Sequence, residues 1–320
     1  MMEQTLSKPQ TAEQLDAKAG CPALPCSLPL VVSFSGGRTS AMMARMIQVS
    51  PIYAGRKVIH VYANTGKERE ETLEFIRRCD EEWGFETVWL EAVISPEKGT
   101  GTSFRVVDYK TAIRNTDPMA AGHPFFDLCK KYGIPSNSAP HCTRELKTKT
   151  IRKYLTSIGL TEWEEAWGIR ADEPQRATPR GNVVYPMVEI GITEPMVRRF
   201  WSAQPFDLGL KDYQGNCDLC FKKSLRKRLT ILRESPALAR DWSALEGKQE
   251  YGNGKVGSLT FDRNGLTMQD LLAMSVDPKL EQAVDKHDAR IAEESNAPWL
   301  FEMAAEINWD YETTCHCQST

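Results

Sequence analysis

Apolar and polar positions in this chain follow two rhythms that trade places along its length. Leu30 to Phe34 is a short continuous apolar run, the mark of a strand buried on both faces of a parallel sheet. Behind it Met42, Met43, Met46 and Ile47 recur on one helical face, and Pro51 stops that helix. Lys57 to Ala63 predicts a second strand that ends at Asn64-Thr65-Gly66. Glu68 to Trp83 then predicts a charged helix with Leu73 and Ile76 on its inner face, and Glu86 to Ala92 a third strand. This order implies a parallel sheet with right-handed crossovers and helices on both faces.

The rhythm then loosens. Gly99 to Asp117 reads as a surface loop, Phe125 to Tyr132 as a short helix and Ile134 to Pro140 as a turn region. Thr143 to Ile158 predicts a basic helix with Leu146, Ile151 and Leu155 as its buried stripe, and Trp163 to Ile169 a fourth strand. Tyr185-Pro186-Met187 reads as extended, and Thr193 to Ser202 as a helix capped by Thr193. Past Pro205 come a Cys217-Asp218-Leu219-Cys220 knuckle, a basic helix and two helical stretches near 267–274 and 278–294. The expected fold is α/β: a doubly wound, Rossmann-like parallel sheet over residues 30–205. A flexible arm (1–29) precedes it, and a smaller, mostly helical region (206–320) follows.

Composition narrows this picture. With 320 residues, 41% hydrophobic and 26% charged, the chain has the make-up of a soluble globular protein. Its first twenty residues lack the apolar run of a signal peptide, and no run is long enough to span a membrane. A cytoplasmic protein is expected, so the 9 cysteines are metal ligands, redox groups or core residues rather than a disulfide framework. A net charge of -3 excludes coating of nucleic acid by bulk charge and leaves room for a local basic face.

The stretch with the clearest chemistry is Ser35-Gly36-Gly37-Arg38-Thr39-Ser40, between the first strand and first helix. Glycines let backbone N–H groups converge there, and the helix start adds partial positive charge, so the turn suits an anion. It lacks the lysine and spacing of a Walker A loop and the G-x-G-x-x-G of a dinucleotide fold. Its S-G-G-x-x-S pattern instead resembles the PP-loop of adenine-nucleotide α-hydrolases. Asn64-Thr65-Gly66 with Arg69-Glu70-Glu71-Thr72 and Phe75-Ile76 resembles the D-T-G-x-x-x-x-E-T-x-x-F-I stretch of the phosphoadenosine phosphosulfate (PAPS) reductase family, with Asn64 where that family commonly has Asp. Gly168-Ile169-Arg170 with Arg176 resembles its G-[IL]-R-x-x-x-x-x-R segment. Tyr185-Pro186-Met187 and the helix ending near Trp201 resemble its P-L…D-V-W segment. The matches keep family order from Ser33 to Phe221.

The resemblance implies an adenine-nucleotide site, for PAPS, its unphosphorylated analogue APS, or ATP. Ser33, Ser35, Gly36, Gly37, Arg38, Thr39, Ser40, Asn64, Thr65, Gly66 and Gly168 would line it, with Arg170 and Arg176 on the anion. Arg170 has an alternative in an ion pair with Asp172 or Glu173. The resemblance also sets His141-Cys142 where the family's iron–sulfur branch has a Cys-Cys pair, and Cys217 and Cys220 at its second pair. These residues imply a [4Fe–4S] cluster, or equally a Cys3His zinc site, with a metal-free site the remaining alternative. Cys79 and Cys129 read as core.

The tail carries Cys315-His316-Cys317. Related sulfonucleotide reductases hold a nucleophilic cysteine on a C-terminal tail, so Cys315 and Cys317 are candidate catalytic thiols, or else incidental. Lys222-Lys223-Ser224-Leu225-Arg226-Lys227-Arg228 and the basic helix near Arg144 could join into one positive face for an RNA or DNA backbone, or be a solvated surface. The expected activity is sulfonucleotide reduction with a thiol reductant. The alternatives are an ATP-dependent sulfurtransferase acting on RNA or DNA, and a non-catalytic nucleotide- or nucleic-acid-binding protein with a zinc knuckle.

Overall fold

The computed structural model describes residues 28–115, 122–137, 139–246, 260–262 and 264–295. The tail cysteines Cys315 and Cys317, and the arm as far as residue 27, lie outside the described residues. Six strands form one sheet: β1 (Leu30–Ser33), β2 (Val58–Asn64), β3 (Val88–Val93), β4 (Ser103–Val107), β5 (Glu164–Ala166) and β6 (Val183–Val184). Their order is β4-β3-β2-β1-β5-β6, parallel throughout except that β4 runs antiparallel on β3. β1 is central, with Leu30 in register with Val58 on one side and Glu164 on the other. The chain lays β2 and β3 to one side of β1 and returns to lay β5 and β6 on the other. That reversal opens a crevice beyond the carboxyl ends of β1 and β5.

Side-chain alternation on β1 explains why both sheet faces are covered. Leu30, Val32 and Phe34 join one core with the buried faces of α1 (Arg38–Val49) and α2 (Glu70–Trp83). Val31 points the other way, into a cluster with Val61, Leu90 and Leu155. Leu155 belongs to α4 (Thr150–Ser157), which follows α3 (Pro124–Tyr132) and a π-helical turn over Thr143–Lys149. The short α5 (Pro186–Glu189) and α6 (Glu194–Ser202) complete the first layer, where Met196, Val197 and Trp201 are buried.

The helices past residue 205 do not carry a core of their own. Phe206, Leu208 and Leu210 still belong to the sheet's first core. From Tyr213 onward the buried residues pack with Phe125, Phe126 and Leu146 instead. That cluster includes α7 (Leu225–Glu234), α8 (Leu238–Ser243), α9 (Met268–Met274) and the first turn of α10 (Pro278–Ser295). No helix among the described residues is long and apolar enough to cross a membrane.

Three local expectations are corrected. The stretch 99–117 contains β4, whose Phe104 packs edge-on against Tyr154 while Arg105 pairs with buried Glu91; Gly99 and Gly101 beside it dilute the alternating pattern. Tyr185-Pro186-Met187 turns into α5, because proline at the first helical position already has helical φ and needs no N–H partner. The fourth strand is only Glu164–Ala166, ended by the close approach of Gly168 to Ser40: a Cβ at Gly168 would lie 3.2 Å from Ser40 Cα.

Candidate functional site

A cavity of about 770 Å³ opens at the crevice between β1 and β5. One wall is the glycine turn: Ser35, Gly37, Arg38, Thr39 and Ser40. Ser40 Oγ accepts from Ser35 N at 3.1 Å and donates to Gly37 O at 3.0 Å, so its hydroxyl closes the turn. Ser35 Oγ lies 3.0 Å from Ser40 Oγ and belongs to an exposed residue. Gly37 caps α1 without a side-chain bond. The first N–H groups of α1, which have no partner inside the helix, therefore line the cavity with the partial positive charge of the helix start.

Gly36 has a packing role. Its φ is +74°, and a Cβ there would lie 2.6 Å from Thr72 Cγ2 and 2.9 Å from Ile76 Cδ1. The turn is thus pressed against α2, and only glycine fits. Gly66 behaves alike: its φ is +78°, and a Cβ would meet the His123 ring at 2.7 Å.

The cavity is also lined by Gly168, which packs on Ser40, and by Arg170 and Arg176. Arg170 Nε donates to Asp172 at 2.9 Å, with Glu173 at 3.6 Å, and Arg176 Nη1 donates to Glu173 at 2.6 Å. Burial works against the Arg170 charge, and Asp172 and Glu173 outweigh it. Arg38 is turned from the turn's centre: it forks onto Asp207 and donates to Leu210 O at 2.8 Å. Burial alone would raise the Asp207 carboxyl, but the Arg38 fork holds it below the usual range. The cavity therefore has guanidinium groups that already face carboxylates, and an incoming anion has to exchange with them.

Asn64, Thr65 and Gly66 sit behind this cavity rather than on it. Asn64 is fully buried, donating to Glu91 at 2.6 Å and Ile113 O at 2.9 Å and accepting from Gly66 N at 3.2 Å. Ser33 lies at the end of β1 and is not among the lining residues. Several residues that line the cavity were not singled out as site residues from the sequence: Glu194, Arg198, Trp201, Lys211 and Asn216. They come from α6 and from the segment leading to the knuckle, and helical spacing on α6 could have placed Glu194, Arg198 and Trp201 on one side.

The knuckle docks on the turn after β2. Cys217 Sγ is 3.4 Å from Thr65 Oγ1 and donates to Glu68 Oε1 at 3.7 Å, while Asp218 N donates to Lys67 O at 3.0 Å. Glu68 is buried and also accepts from Thr65 N at 3.0 Å. Lys67 and Asp218 are almost wholly buried, their charges 3.4 Å apart; Asn115 bridges them, and Trp242 Nε1 donates to Asp218 at 3.1 Å. The charges are thus paired and hydrogen-bonded, as buried charges must be.

Cys142, Cys217 and Cys220, with Glu68, lie close enough to the Lys147 ammonium to act on its charge. Burial would lower its pKa, but Cys217, Glu68, Cys142 and Cys220 together raise it. Lys147 reaches this place because a π-helical turn bonds i to i+5 and brings Cys142 and Lys147 to the same side. Burial and the nearby Glu68 push the Cys217 thiol up, and burial and Cys220 do the same at Cys142. His141 Nδ1 lies 3.4 Å from Arg144 Nη2, and its ring is tilted against Tyr132. Among the described residues no three His, Cys, Asp or Glu side chains come together as metal ligands. Cys79 and Cys129 are buried in the core, their thiols raised by burial.

Known proteins share this sequence in part. The chain is 34% identical over 211 residues to the uncharacterized nin region protein ORF290 of Escherichia phage lambda, over 66% of this chain and 71% of that protein. No family model matches the chain.

Proposed function

We propose that this chain, which belongs to the family of the phage lambda nin region protein ORF290, binds an adenine nucleotide in the β1/β5 cavity and carries out sulfur chemistry on it. One observation carries the reading: the cavity at the sheet's switch point is lined by the glycine turn and α1 start together with Arg170 and Arg176. The N–H groups of α1 and the Ser35 hydroxyl would hold the terminal anion. Arg170 and Arg176 would leave Asp172 and Glu173 to grip it, since a guanidinium fork suits phosphate or sulfate as well as carboxylate.

In the leading version, in keeping with the resemblance to PAPS reductases, the ligand is a sulfonucleotide. A thiolate attacks its sulfur: an S–S bond forms, the S–O bond to phosphate breaks, and the nucleotide leaves with that electron pair. A thiol reductant then attacks the cysteine sulfur, sulfite departs with the S–S electron pair, and a second thiol reduces the mixed disulfide. Cys315 or Cys317 is the proposed attacking thiol. Cys217 directly follows Asn216 of the cavity wall, so thiols lie at this end of the sheet in any case.

A second reading, ATP-dependent sulfur transfer, is favoured by the carboxylates Glu173, Glu194, Asp207 and Asp212 around the cavity. They suit a triphosphate carried with Mg²⁺, which is bound through one or two carboxylates and phosphate oxygens. Titration calorimetry with PAPS, APS and ATP, with and without Mg²⁺, tests both. Binding of PAPS or APS with release of sulfite supports the first version; Mg²⁺-dependent ATP binding with release of pyrophosphate supports the second. If none of the three nucleotides binds, the proposal is wrong.

A further inference from the structure

Two basic segments distant in sequence are brought onto one face. Lys222, just past the knuckle, donates to Thr143 Oγ1 at 3.1 Å, at the start of the π-helical turn. From there Arg144, Lys149, Arg152 and Lys153 follow along the exposed side of the turn and α4. At about 1.5 Å per residue the line is about 15 Å long.

Acidic residues do little to neutralise it. Between Thr143 and Ser157 the one carboxylate in the sequence is Glu145, 1% exposed, which takes both Arg144 and Lys149 at 2.8 Å. Between Leu219 and Arg233 the sequence has no Asp or Glu. Lys227 and Arg228 are matched by Asp212 and Asp262 and do not count. Arg152, Lys153 and Lys222 are exposed and have no carboxylate partner among the described residues. Like charges gathered on one side of a protein of net charge -3 repel one another until a polyanion neutralises them.

We infer that this face docks the phosphate backbone of a nucleic acid. The cations form a line and not a pocket, which suits successive phosphates rather than one small anion. The exposed residues of the line are Lys, Arg and Thr, groups that hold phosphates and position a strand without reading its bases. The same turn carries Cys142 and Lys147, so a bound strand lies beside the thiol cluster. The inference does not depend on which nucleotide fills the cavity.

Fluorescence anisotropy of the full chain with labelled single-stranded DNA, single-stranded RNA and duplex DNA tests it. Affinity should fall linearly on a log–log plot as salt rises from about 50 to 200 mM. Arg152→Ala, Lys153→Ala and Lys222→Ala combined should weaken binding at least about tenfold and flatten the slope by about 2, at about 0.7 per contact to a single strand. Arg152→Lys, Lys153→Arg and Lys222→Arg combined should bind as the unmodified chain does. So should Lys57→Ala, an exposed cation beside the amino end of β2. The three nucleic acids separate the possible sources of the backbone. No binding at low salt, an alanine variant that binds as before, loss of binding in the charge-keeping variant, or equal competition by polyglutamate would each overturn the inference. A protein that binds no adenine nucleotide yet passes these tests leaves it standing.

Discussion

The glycine turn and the cysteine knuckle lie at the same end of the sheet, and they are built in opposite ways. The turn is closed by groups no more than five residues apart, through Ser35, Gly37 and Ser40. The knuckle is held by partners roughly 70 to 150 residues away: Thr65, Lys67, Glu68, Asn115 and Lys147. The turn is a local device that could bind its ligand wherever a strand feeds a helix. The knuckle exists only once α3, the π-helical turn and the C-terminal helices have packed. Loss of one distant partner should therefore damage the knuckle far more than loss of one hydroxyl damages the turn.

The largest expected effect tests that asymmetry. Asp218→Ala leaves the Lys67 ammonium buried without a charge partner and should cost about 4 kcal/mol in urea unfolding. Lys67→Met combined with Asp218→Asn should recover at least half of that loss. If Asp218→Ala is neutral, the knuckle is not held by its distant pair. Next in size is Gly36→Ala, where the positive φ and the contact with Thr72 together should cost about 3 kcal/mol. Gly55→Ala has a similar φ with open space around it and should cost only about 1 kcal/mol. Equal losses at the two would show that the turn is not pressed against α2.

Acid sharpens the comparison through β2, which runs beneath both regions. His60 on this strand stacks on Phe85 and bonds its carbonyl at 3.0 Å; burial lowers its pKa to about 4. Below about pH 6.5 the unfolded chain binds this proton and the folded chain does not. Stability should therefore fall as pH drops from about 6.5 to about 4, by at most about 1.4 kcal/mol per pH unit from this group, and then level off. His60→Phe should flatten that part of a pH series of unfolding midpoints. The smallest effect belongs to the turn: Ser35→Ala should weaken nucleotide binding about five- to tenfold in calorimetry and leave the unfolding midpoint unchanged.

Much of the fold was legible because buried parallel strands and amphipathic helices write their own periods. Leu30 to Phe34, the α1 stripe of Met42, Met43, Met46 and Ile47, and the α2 stripe of Leu73 and Ile76 fell where expected. β4 was not legible, since five alternating residues beside two glycines read as loop. The cavity was half legible. Its glycine turn and the Gly168–Arg176 wall stood out by pattern, whereas Asp207, Lys211 and Asn216 carry no local signature. Asn64, read as facing the nucleotide, is instead a buried link between β2 and β3, because its strand position is shared by lining and core residues alike.

The sequence by itself determined most of the strands and helices, the anion-ready turn and the two separate runs of basic residues. Each of these depends on neighbours within a few positions, and short-range sterics, hydrogen bonding and hydrophobic period act there directly. Only the tertiary structure decided that Arg38 turns to Asp207, that Lys67 is buried against Asp218, and that Lys147 comes within electrostatic reach of the thiols. Two of these contacts join residues about 150 or more positions apart, and the third needs a π-helical turn that shifts one side chain onto another's face. Charges taken out of water in this way are stable only where folding also supplies a partner. No local stretch of sequence carries that information.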